Sequence, residues 1–297
     1  MEYKYTSLEW AKSVLPKRQR DGNKGSFGKL FMYVGSDTYM GAALLSVEAA
    51  LRGGAGYVIA AASGELKRAL LSKFPEVIYK DFGEASTLTE SEFEALISEQ
   101  RGATAALVGC GCSKSNKLFD LVKRLLTEGS GTLILDADAI NSMAESREEA
   151  KAALKNSQRQ VILTPHPLEF SRLTGIPVSL VNEARIECAR TYAEEVGCTV
   201  LLKGNETVIT DGKEVYINTS GSSALAKAGS GDALAGLLAS IAALSSLCPL
   251  ELSALAAYVH GRAGDKLEKE LSSYGVTPSD LPKEMAKILC EIENVYG

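Results

Sequence analysis

Histidine is scarce in this sequence of 297 residues, which contains only two, and its six cysteines are scattered along the chain. The most closely spaced cysteines, Cys110 and Cys112, lack the spacing of zinc fingers and of thioredoxin-like redox sites. A histidine-rich metal site is therefore excluded. We interpret the thiols as structural or incidental rather than as metal ligands.

Long apolar runs and an excess of positive charge are also absent. The longest apolar stretch, Ala233 to Leu244, is shorter than the roughly 18 residues of a membrane span and contains Gly236 and Ser240. The formal net charge of −5 gives no electrostatic reason to expect nucleic-acid binding. Residues 1–22 are polar and charged, unlike a signal peptide. We therefore expect a cytoplasmic protein whose partners include neither a membrane nor a nucleic acid.

The sequence instead contains apolar, strand-like segments that alternate with helix-like segments. Strands are predicted at about 29–35, 55–61, 76–80, 103–109, 131–139, 160–166 and 198–204, and helices at about 41–54, 64–72, 116–126 and 182–196. Two more strands, ETVITDG and KEVYIN, form a hairpin-like pair joined at Asp211-Gly212, and three helices are predicted from Ser230 onward. This alternation indicates a parallel sheet covered on both faces. No linker or internal repeat is evident, so we interpret residues 1–297 as one α/β domain.

Polar residues and glycines follow many of the predicted strands. They form six clusters: Gly35-Ser36-Asp37, Gly109-Cys110-Gly111, Asp136-Ala137-Asp138, Thr164-Pro165-His166, Lys203-Gly204 and Asn218-Thr219. Ligands of open α/β sheets bind beyond the carboxyl ends of the strands. The clusters together therefore predict a binding site at that edge, although each one alone is compatible with a simple turn.

Asp232 follows two glycines in the stretch KAGSGDALAGLLASIAAL, which begins at Lys227. Gly229 and Gly231 carry no side chains on either side of Ser230, so backbone N–H groups there can approach an anion at a helix N-terminus. An acid in this place is either a helix-capping residue or a catalytic acid or base beside a phosphate. The residues alone leave both interpretations open.

Two common phosphate-binding motifs are missing. The P-loop pattern does not occur, and the G-x-G-x-x-G pattern fails because Leu234 stands at its third glycine. Neither a P-loop enzyme nor a Rossmann dehydrogenase is expected.

Two further segments carry candidate site residues. His166 and Glu169 can both face the site in LTPHPLEFSRLTG, and the alternative is a proline-stiffened turn with a capping glutamate. Lys203 in LLKGNETVITDG can neutralise a phosphate, and the alternative is a plain β-turn. The second histidine, His260, fits a core or helix-surface role better than catalysis.

Several of these segments resemble a known family. GSGD at a late helix resembles the anion hole of the ribokinase-like superfamily, and TPHPLEF resembles the T-P-N-x-x-E segment of its vitamin kinases, with His for Asn. Six ordered stretches together resemble the ADP/ATP-dependent NAD(P)H-hydrate dehydratases: KGSFGKLFMYVGS, YMGAALLSVEAALRGGAGYV, LDADAIN, LTPHPLEFSRLTG, LLKGNETVI and NTSGSSALAKAGSGDALAG. The resemblance extends from about Leu15 to the last helix. It departs where Ser230 replaces a common Thr, which keeps the hydroxyl, and where Ser222-Ser223 replaces a common Asn-Pro.

The resemblance implies a three-layer αβα sandwich with a mostly parallel central sheet. It implies as substrate the S form of NADHX or NADPHX, in which water has added across the C5–C6 bond of the nicotinamide ring. ADP, or alternatively ATP, would phosphorylate the C6 hydroxyl, and loss of phosphate would restore NADH or NADPH. Mg²⁺ is expected with the phosphates, and Glu169 would reach it through water.

The resemblance also assigns residues to roles. Asp232 would be the base, and the N–H groups of Gly229, Ser230 and Gly231 would stabilise the transferring phosphoryl group. The implied substrate contacts are Ala43, Gly111, His166 and Asp232, and the implied nucleotide contacts are Lys203, Gly204, Asn205, Glu206, Thr207 and Gly231. His166 is expected to contact substrate rather than zinc.

Relatives with an N-terminal epimerase domain imply a functional partner. This chain begins too close to its first motif to hold such a domain, so we expect it to act with a separate NAD(P)HX epimerase. A homo-oligomer such as a tetramer is expected by the same resemblance.

Two other functions compete with the dehydratase. A vitamin-precursor kinase of the same fold would release a stable phosphorylated alcohol, but His166, LDADAIN and KGSFGKL favour the dehydratase. A protein that binds a nucleotide without catalysing a reaction would not need a base beside the phosphate, so Asp232 disfavours a nucleotide sensor.

Overall fold

A computed structural model describes residues 3–62, 64–244 and 247–293. The strands are β1 (Lys4–Tyr5), β2 (Lys29–Tyr33), β3 (Tyr57–Ala62), β4 (Ile78–Asp81), β5 (Ala105–Val108), β6 (Thr132–Leu135), β7 (Val161–Leu163), β8 (Thr199–Leu202), β9 (Thr207–Thr210) and β10 (Val215–Asn218). The α-helices are α1 (Leu8–Val14), α2 (Met40–Arg52), α3 (Gly64–Lys73), α4 (Glu90–Arg101), α5 (Asn116–Glu128), α6 (Asp138–Met143), α7 (Arg147–Lys155), α8 (Pro167–Thr174), α9 (Val178–Glu183), α10 (Arg185–Val196), α11 (Ser230–Leu244), α12 (Pro249–Gly275) and α13 (Leu281–Glu293). Short 3₁₀ turns cover Lys24–Phe27, Ala85–Thr87, Ala144–Ser146 and Ser223–Leu225.

The strands form one sheet in the order β1-β10-β9-β8-β7-β6-β5-β2-β3-β4. Within the described ranges, β9 pairs antiparallel with β8 and β10, and the remaining neighbours pair in parallel. The predicted mostly parallel sheet is confirmed, and so is the hairpin at Asp211-Gly212. The whole-chain domain stays a prediction, because residues 1, 2, 63, 245, 246 and 294–297 lie outside the described residues.

Helices cover both faces of this sheet. Side chains alternate along β2, so Leu30 and Met32 pack against the layer of α1–α3 and α11–α13. Phe31 and Tyr33 pack on the opposite face, against α4–α10. The predicted αβα sandwich is therefore confirmed. Among the described residues, none of the helices combines the length and apolar character that crossing a bilayer requires.

The small residues of α11 have a packing role. A Cβ atom at Gly236 would overlap the carbonyl oxygen of Ser46 in α2, so glycine is needed where these two helices touch. Ala233, Ala235 and Ala239 are fully buried along the same helix. This close contact fixes the position of the first turn of α11, which contains Asp232.

Two of the predicted elements have different bounds in the structure. The predicted strand 131–139 ends at Leu135, and α6 takes up the following residues. Its apolar residues Ala139 and Ile140 are buried as helix residues, and a short apolar run does not distinguish a strand from a helix. The predicted helix 182–196 is divided between α9 and α10.

Candidate active site

The predicted clusters after β5 to β8 converge at the carboxyl edge of the sheet, around the buried carboxylate of Asp136. Its Oδ1 accepts hydrogen bonds from Lys203 Nζ at 2.8 Å and from Thr164 Oγ1 at 2.7 Å. Its Oδ2 lies 3.4 Å from the donor Cys110 Sγ. The next residue, Ala137, has a φ of +47°, a costly conformation for alanine of the kind that gathers at functional sites.

Asp232 lies beside this network. It is the third residue of α11, so it occupies the first turn of the helix rather than the N-cap position. Burial, and then the charge of Asp136, raises the pKa of Asp232 to about 6, while Lys203 opposes the shift. A carboxylate with this pKa can accept a proton near neutral pH and release it again. The geometry favours the acid–base interpretation of Asp232 over the capping one.

The two glycines before Asp232 differ in how strongly their surroundings require glycine, and only Gly229 has a positive φ. Gly229 has a φ of +103°, and a Cβ atom there would lie 2.5 Å from Leu45 Cδ1. A Cβ atom at Gly231 would lie 3.3 Å from Lys203 Nζ. Gly231 thus keeps the space above the Lys203 ammonium group open to a ligand.

Some backbone N–H groups of the glycine turn are available to bind an anion. The Ser230 N–H donates to the Lys227 carbonyl at 3.2 Å. Helix geometry leaves the N–H groups of the following first-turn residues, Gly231 and Asp232, without partners inside the helix. Lys227 Nζ in turn donates to the Tyr274 carbonyl at 2.6 Å and to that of Val276, which holds the turn against the C-terminal end of α12.

Lys203 is the cation between two buried acids, Asp136 and Glu169. Besides its bond with Asp136, its Nζ lies 3.9 Å from Glu169 Oε2. Burial opposes its charge, but Asp136 and Glu169 together hold the pKa of Lys203 above its ordinary value. Burial also raises the pKa of Glu169, against the effect of Lys203. Lys203 is therefore both a candidate phosphate ligand and the counter-charge of this network.

His166 and Glu169 form a reciprocal cap at the start of α8. His166 Nδ1 accepts the N–H groups of Leu168 and Glu169 at 3.2 and 3.3 Å. Glu169 Oε2 accepts the His166 N–H at 2.9 Å. The capping alternative for this segment is confirmed. A substrate contact through the half-exposed His166 ring stays a prediction.

The two small residues assigned to the substrate have different surroundings. Gly111 has a φ of +65°, and a Cβ atom there would lie 2.7 Å from Ala42 Cβ and 2.9 Å from Tyr39 Cβ. Glycine therefore allows the loop after β5 to approach the start of α2. Ala43 is fully buried in α2, and its substrate contact stays a prediction.

The residues assigned to the nucleotide share a cavity of about 470 Å³. Its wall includes Lys203, Gly204, Asn205, Glu206, Thr207 and Gly231, all predicted from the sequence. It also includes residues that sequence reasoning missed, namely Ser220, Gly221, Leu225, Leu234, Ala257, His260 and Gly261. The glycine- and serine-rich stretch after β10 could have indicated that this loop forms part of the cavity wall.

Arg185 supports the loop after β8 from α10. Its guanidinium group donates to the carbonyls of Leu202 and Lys203 at 3.0 and 3.1 Å, and also to that of Asn205. Gly204 has a φ of +143° beside it. The nucleotide loop is therefore held in shape from behind by a residue outside the predicted set.

A larger cavity of about 670 Å³ lies at the opposite, amino edge of the strands. Among the described residues no carboxylate lines it, and the one charged residue in its wall, Arg159, already donates to the carbonyls of Leu125, Ser130 and Gly131. Size alone would select this cavity, but the acids and the glycine turn lie at the other edge.

Three side chains of the described residues lie close enough together to act as metal ligands. Cys110, Asp136 and Asp232 each offer one atom, and these atoms lie within 4.8 Å of one another. Mg²⁺ prefers oxygen ligands, whereas one of these donors is a thiol and Asp136 is already paired with Lys203. The residues fit Mg²⁺ bound mainly through nucleotide phosphates and water, and the expected water-mediated contact of Glu169 stays a prediction.

Comparison with known proteins establishes the family of this chain. The family profile described as NAD(P)H-hydrate dehydratase matches residues 30–287. The chain belongs to the NAD(P)H-hydrate dehydratase family. The ADP-dependent (S)-NAD(P)H-hydrate dehydratase of Bacillus subtilis is 31% identical over 97% of this chain and 98% of its own length. The bifunctional NAD(P)H-hydrate repair enzyme of Moorella thermoacetica is 35% identical over 96% of this chain. The chain spans about half the length of that relative and of a second bifunctional one, 53% and 52%.

Solved structures agree with the dehydratase family at the level of the fold. The Bacillus subtilis dehydratase co-crystallised with ATP/Mg²⁺ superposes with a TM-score of 0.85 at 27% identity, covering 99% of this chain and all of that one. Ribokinase from Thermotoga maritima superposes with a TM-score of 0.51 at 12% identity, covering 89% of this chain and 96% of its own. The expected ribokinase-like fold is thus confirmed.

Proposed function

We propose that this protein is an ADP-dependent NAD(P)H-hydrate dehydratase that restores NADH and NADPH from the S form of their hydrates. The observation that carries the proposal is Asp232, a partly buried carboxylate with a pKa raised to about 6, beside the glycine turn and Lys203. A relative named for ADP dependence and a neighbour crystallised with ATP/Mg²⁺ support a nucleotide as co-substrate. We also propose that the protein acts in the cytoplasm as a homo-oligomer, with a separate epimerase as its partner, and the relatives named bifunctional support that pairing.

The proposed first step is phosphoryl transfer. Asp232 accepts the proton of the C6 hydroxyl while that oxygen forms a bond to the terminal phosphorus of ADP, and AMP leaves. The N–H groups at the start of α11 stabilise the charge on the transferring group, and Lys203 draws the phosphates toward it. Mg²⁺, when bound with the nucleotide, neutralises phosphate charge.

The second step is elimination. The ring-nitrogen electron pair expels the phosphate from C6, and C5 then loses a proton, which completes the C5–C6 double bond. Hydroxide is a poor leaving group and phosphate a good one, so the first step makes the second possible. The net change is hydrate plus ADP to dihydronicotinamide, AMP and inorganic phosphate.

The test is incubation of the purified protein with hydrated NADH and either ADP or ATP. We expect the near-ultraviolet absorbance of the dihydronicotinamide to return, faster with ADP, and phosphate to be released in equal amount. A stable phosphorylated product without recovered absorbance would contradict the proposal and favour the kinase alternative.

The rate is expected to fall as the pH is lowered through about 6. Asp232 must be ionised to accept a proton, and its pKa is raised to about 6 from an ordinary value of 3.8, by burial first and by Asp136 second. The measurement is kcat/KM for hydrated NADH over about pH 5 to 8, with ADP affinity followed in parallel to separate titration of the phosphates. A flat profile over that range would contradict the assignment.

Replacement of His166 separates its capping role from a substrate contact. Asparagine caps helices well, so His166→Asn should keep the thermal midpoint but raise KM for hydrated NADH. His166→Ala should lose about 0.5–2 kcal/mol of stability as well, because the cap is removed. An unchanged KM in a well-folded His166→Asn variant would remove His166 from the substrate site.

A further inference from the structure

Asp138 is a carboxylate of the candidate site without a role in the proposed reaction so far. It is the first residue of α6, and it is partly exposed. The proposed reaction moves two protons, one from the C6 hydroxyl and one from C5. Asp232 holds the hydroxyl proton after the first step, so its carboxyl group is protonated when C5 must lose the second one. The elimination step therefore needs another proton acceptor.

Asp138 forms hydrogen bonds on both sides of Gly111, which the proposed function places at the substrate. The Asp138 N–H donates to the Gly109 carbonyl at 3.2 Å. Its Oδ2 accepts the Ser113 N–H at 2.9 Å. These two bonds hold Asp138 against the loop after β5. The carboxylate thus lies beside the loop that the hydrate is proposed to contact.

The backbone next to Asp138 adopts costly conformations. Ala137, which precedes it, has a φ of +47°, and Ser113, which donates to its carboxylate, has a φ of +62°. Left-handed conformations of residues other than glycine gather at functional sites, where the surroundings hold them in place. An acid that served only the first turn of α6 would require neither of them. Helix α7 also begins with acids, at Glu148 and Glu149, and no described residue next to those acids has a positive φ.

The other groups that could accept a proton in the loops after β2, β5, β6 and β7 are engaged elsewhere. Four of them are buried: Cys110, Cys112, Asp136 and Glu169. His166 is half-exposed, but its Nδ1 accepts two backbone N–H groups, so its ring proton is on Nε2, 3.3 Å from Glu169 Oε1. Asp37 lies at the start of α3, where its Oδ1 accepts the Leu66 N–H at 3.4 Å. Among the described residues of these loops, Asp138 is left as the accessible carboxylate beside Gly111.

We propose that Asp138 accepts the C5 proton in the elimination step. This inference rests on the proposed function, because it requires the phosphorylated hydrate in the site. When phosphate has left C6 with the bonding electron pair, the ring nitrogen carries a positive charge. The C5–H bond then breaks, and its electron pair forms the C5–C6 double bond and returns the nitrogen lone pair. The proton bonds to a carboxylate oxygen of Asp138.

The test is Asp138→Asn with hydrated NADH and ADP, in which AMP and recovered NADH are measured separately. The unaltered protein should form the two in equal amounts. The variant should still phosphorylate the hydrate, since Asp232 is unchanged and the amide oxygen can accept the Ser113 N–H. NADH recovery should slow by at least about 100-fold without the base, so AMP should exceed NADH. The excess should appear as phosphorylated hydrate, or as free phosphate and hydrate where water adds to the ring again.

Glu148→Gln, which changes an exposed acid in the first turn of α7, is the matched control and should keep equal amounts of AMP and NADH. An equal fall of both products in Asp138→Asn would overturn the inference, because a purely structural role slows both steps together. Normal NADH recovery in that variant would do the same, and the leaving phosphate would then be the proton acceptor.

If Asp138→Asn does not fold, as its thermal midpoint would reveal, a labelled substrate decides with the unaltered protein. The hydrate carries deuterium at C5 in one configuration. A fixed carboxylate removes hydrogen from one face of the ring, so the NADH formed should keep all of the deuterium or none of it. A mixture would overturn the inference. Absence of both AMP and NADH with the unaltered protein would instead contradict the proposed function.

Discussion

Asp232→Asn should lower the turnover of hydrated NADH by at least about 100-fold, the smaller end of a general-base contribution. The amide keeps the size of the side chain but cannot accept the hydroxyl proton. The thermal midpoint should not fall, because desolvation and the charge of Asp136 both disfavour the ionised carboxylate of Asp232, and the amide removes that unfavourable charge. ADP should bind as well as before or slightly better.

Turnover of hydrated NADH, the thermal midpoint and ADP affinity are therefore all measured for the same variant, so that a loss of catalysis can be separated from a loss of folding or binding. Asp120→Asn is the control, since Asp120 is an exposed acid on α5 whose ion pair is with Lys123. Near-normal turnover in a well-folded Asp232→Asn variant would contradict the catalytic role. Asp232 would then be only an acid that stabilises the helix N-terminus.

Lys203→Ala is expected to damage both stability and nucleotide binding. Its removal leaves Asp136 and Glu169 buried without a counter-charge, and breaking a buried pair in this way costs about 3–5 kcal/mol. ADP affinity should fall as well, while affinity for the hydrate should be largely kept. Burial raises the pKa of Glu169, which predicts how the effect depends on pH. The loss of stability in Lys203→Ala grows as pH rises through that pKa and shrinks in acid, where the Glu169 carboxyl is protonated.

Denaturant unfolding at two pH values and ADP calorimetry measure these effects. Lys114→Ala is the matched control, because it removes an exposed pair with Glu145 and should cost no more than about 1 kcal/mol. Unchanged ADP affinity in folded Lys203→Ala would remove this lysine from the nucleotide site. A loss of stability as small as that of the control would contradict its role as counter-charge.

The core of the fold could be predicted from the sequence because its strands are continuous apolar segments. β5, β6 and β8 are buried along their whole length, and such segments between helices indicate a parallel sheet. β1 was missed because it has two residues, both exposed, and owes its place to pairing with β10. The helices α4 and α7 were not predicted because most of their residues are charged or polar and few are buried, so their apolar periodicity is weak.

The candidate site could be predicted as a set of segments but not as a network. Strand-end clusters indicated the edge of the sheet, and the glycine turn indicated the anion site. The bond between Lys203 and Asp136 joins residues 67 positions apart, and no local pattern reveals such a pair. The expected core role of His260 agrees with its burial, but its place beside the nucleotide cavity depends on how α12 packs and could not be predicted.

The fate of the C6 oxygen tests the proposed reaction most directly. Hydrated NADH that carries heavy oxygen in its C6 hydroxyl is incubated with the protein and ADP, and the inorganic phosphate is examined by mass spectrometry. If the hydroxyl is phosphorylated before it leaves, each phosphate released carries one labelled oxygen, and AMP and NADH form in equal amounts. Unlabelled phosphate with the label in water would contradict phosphorylation of the substrate as the route to dehydration.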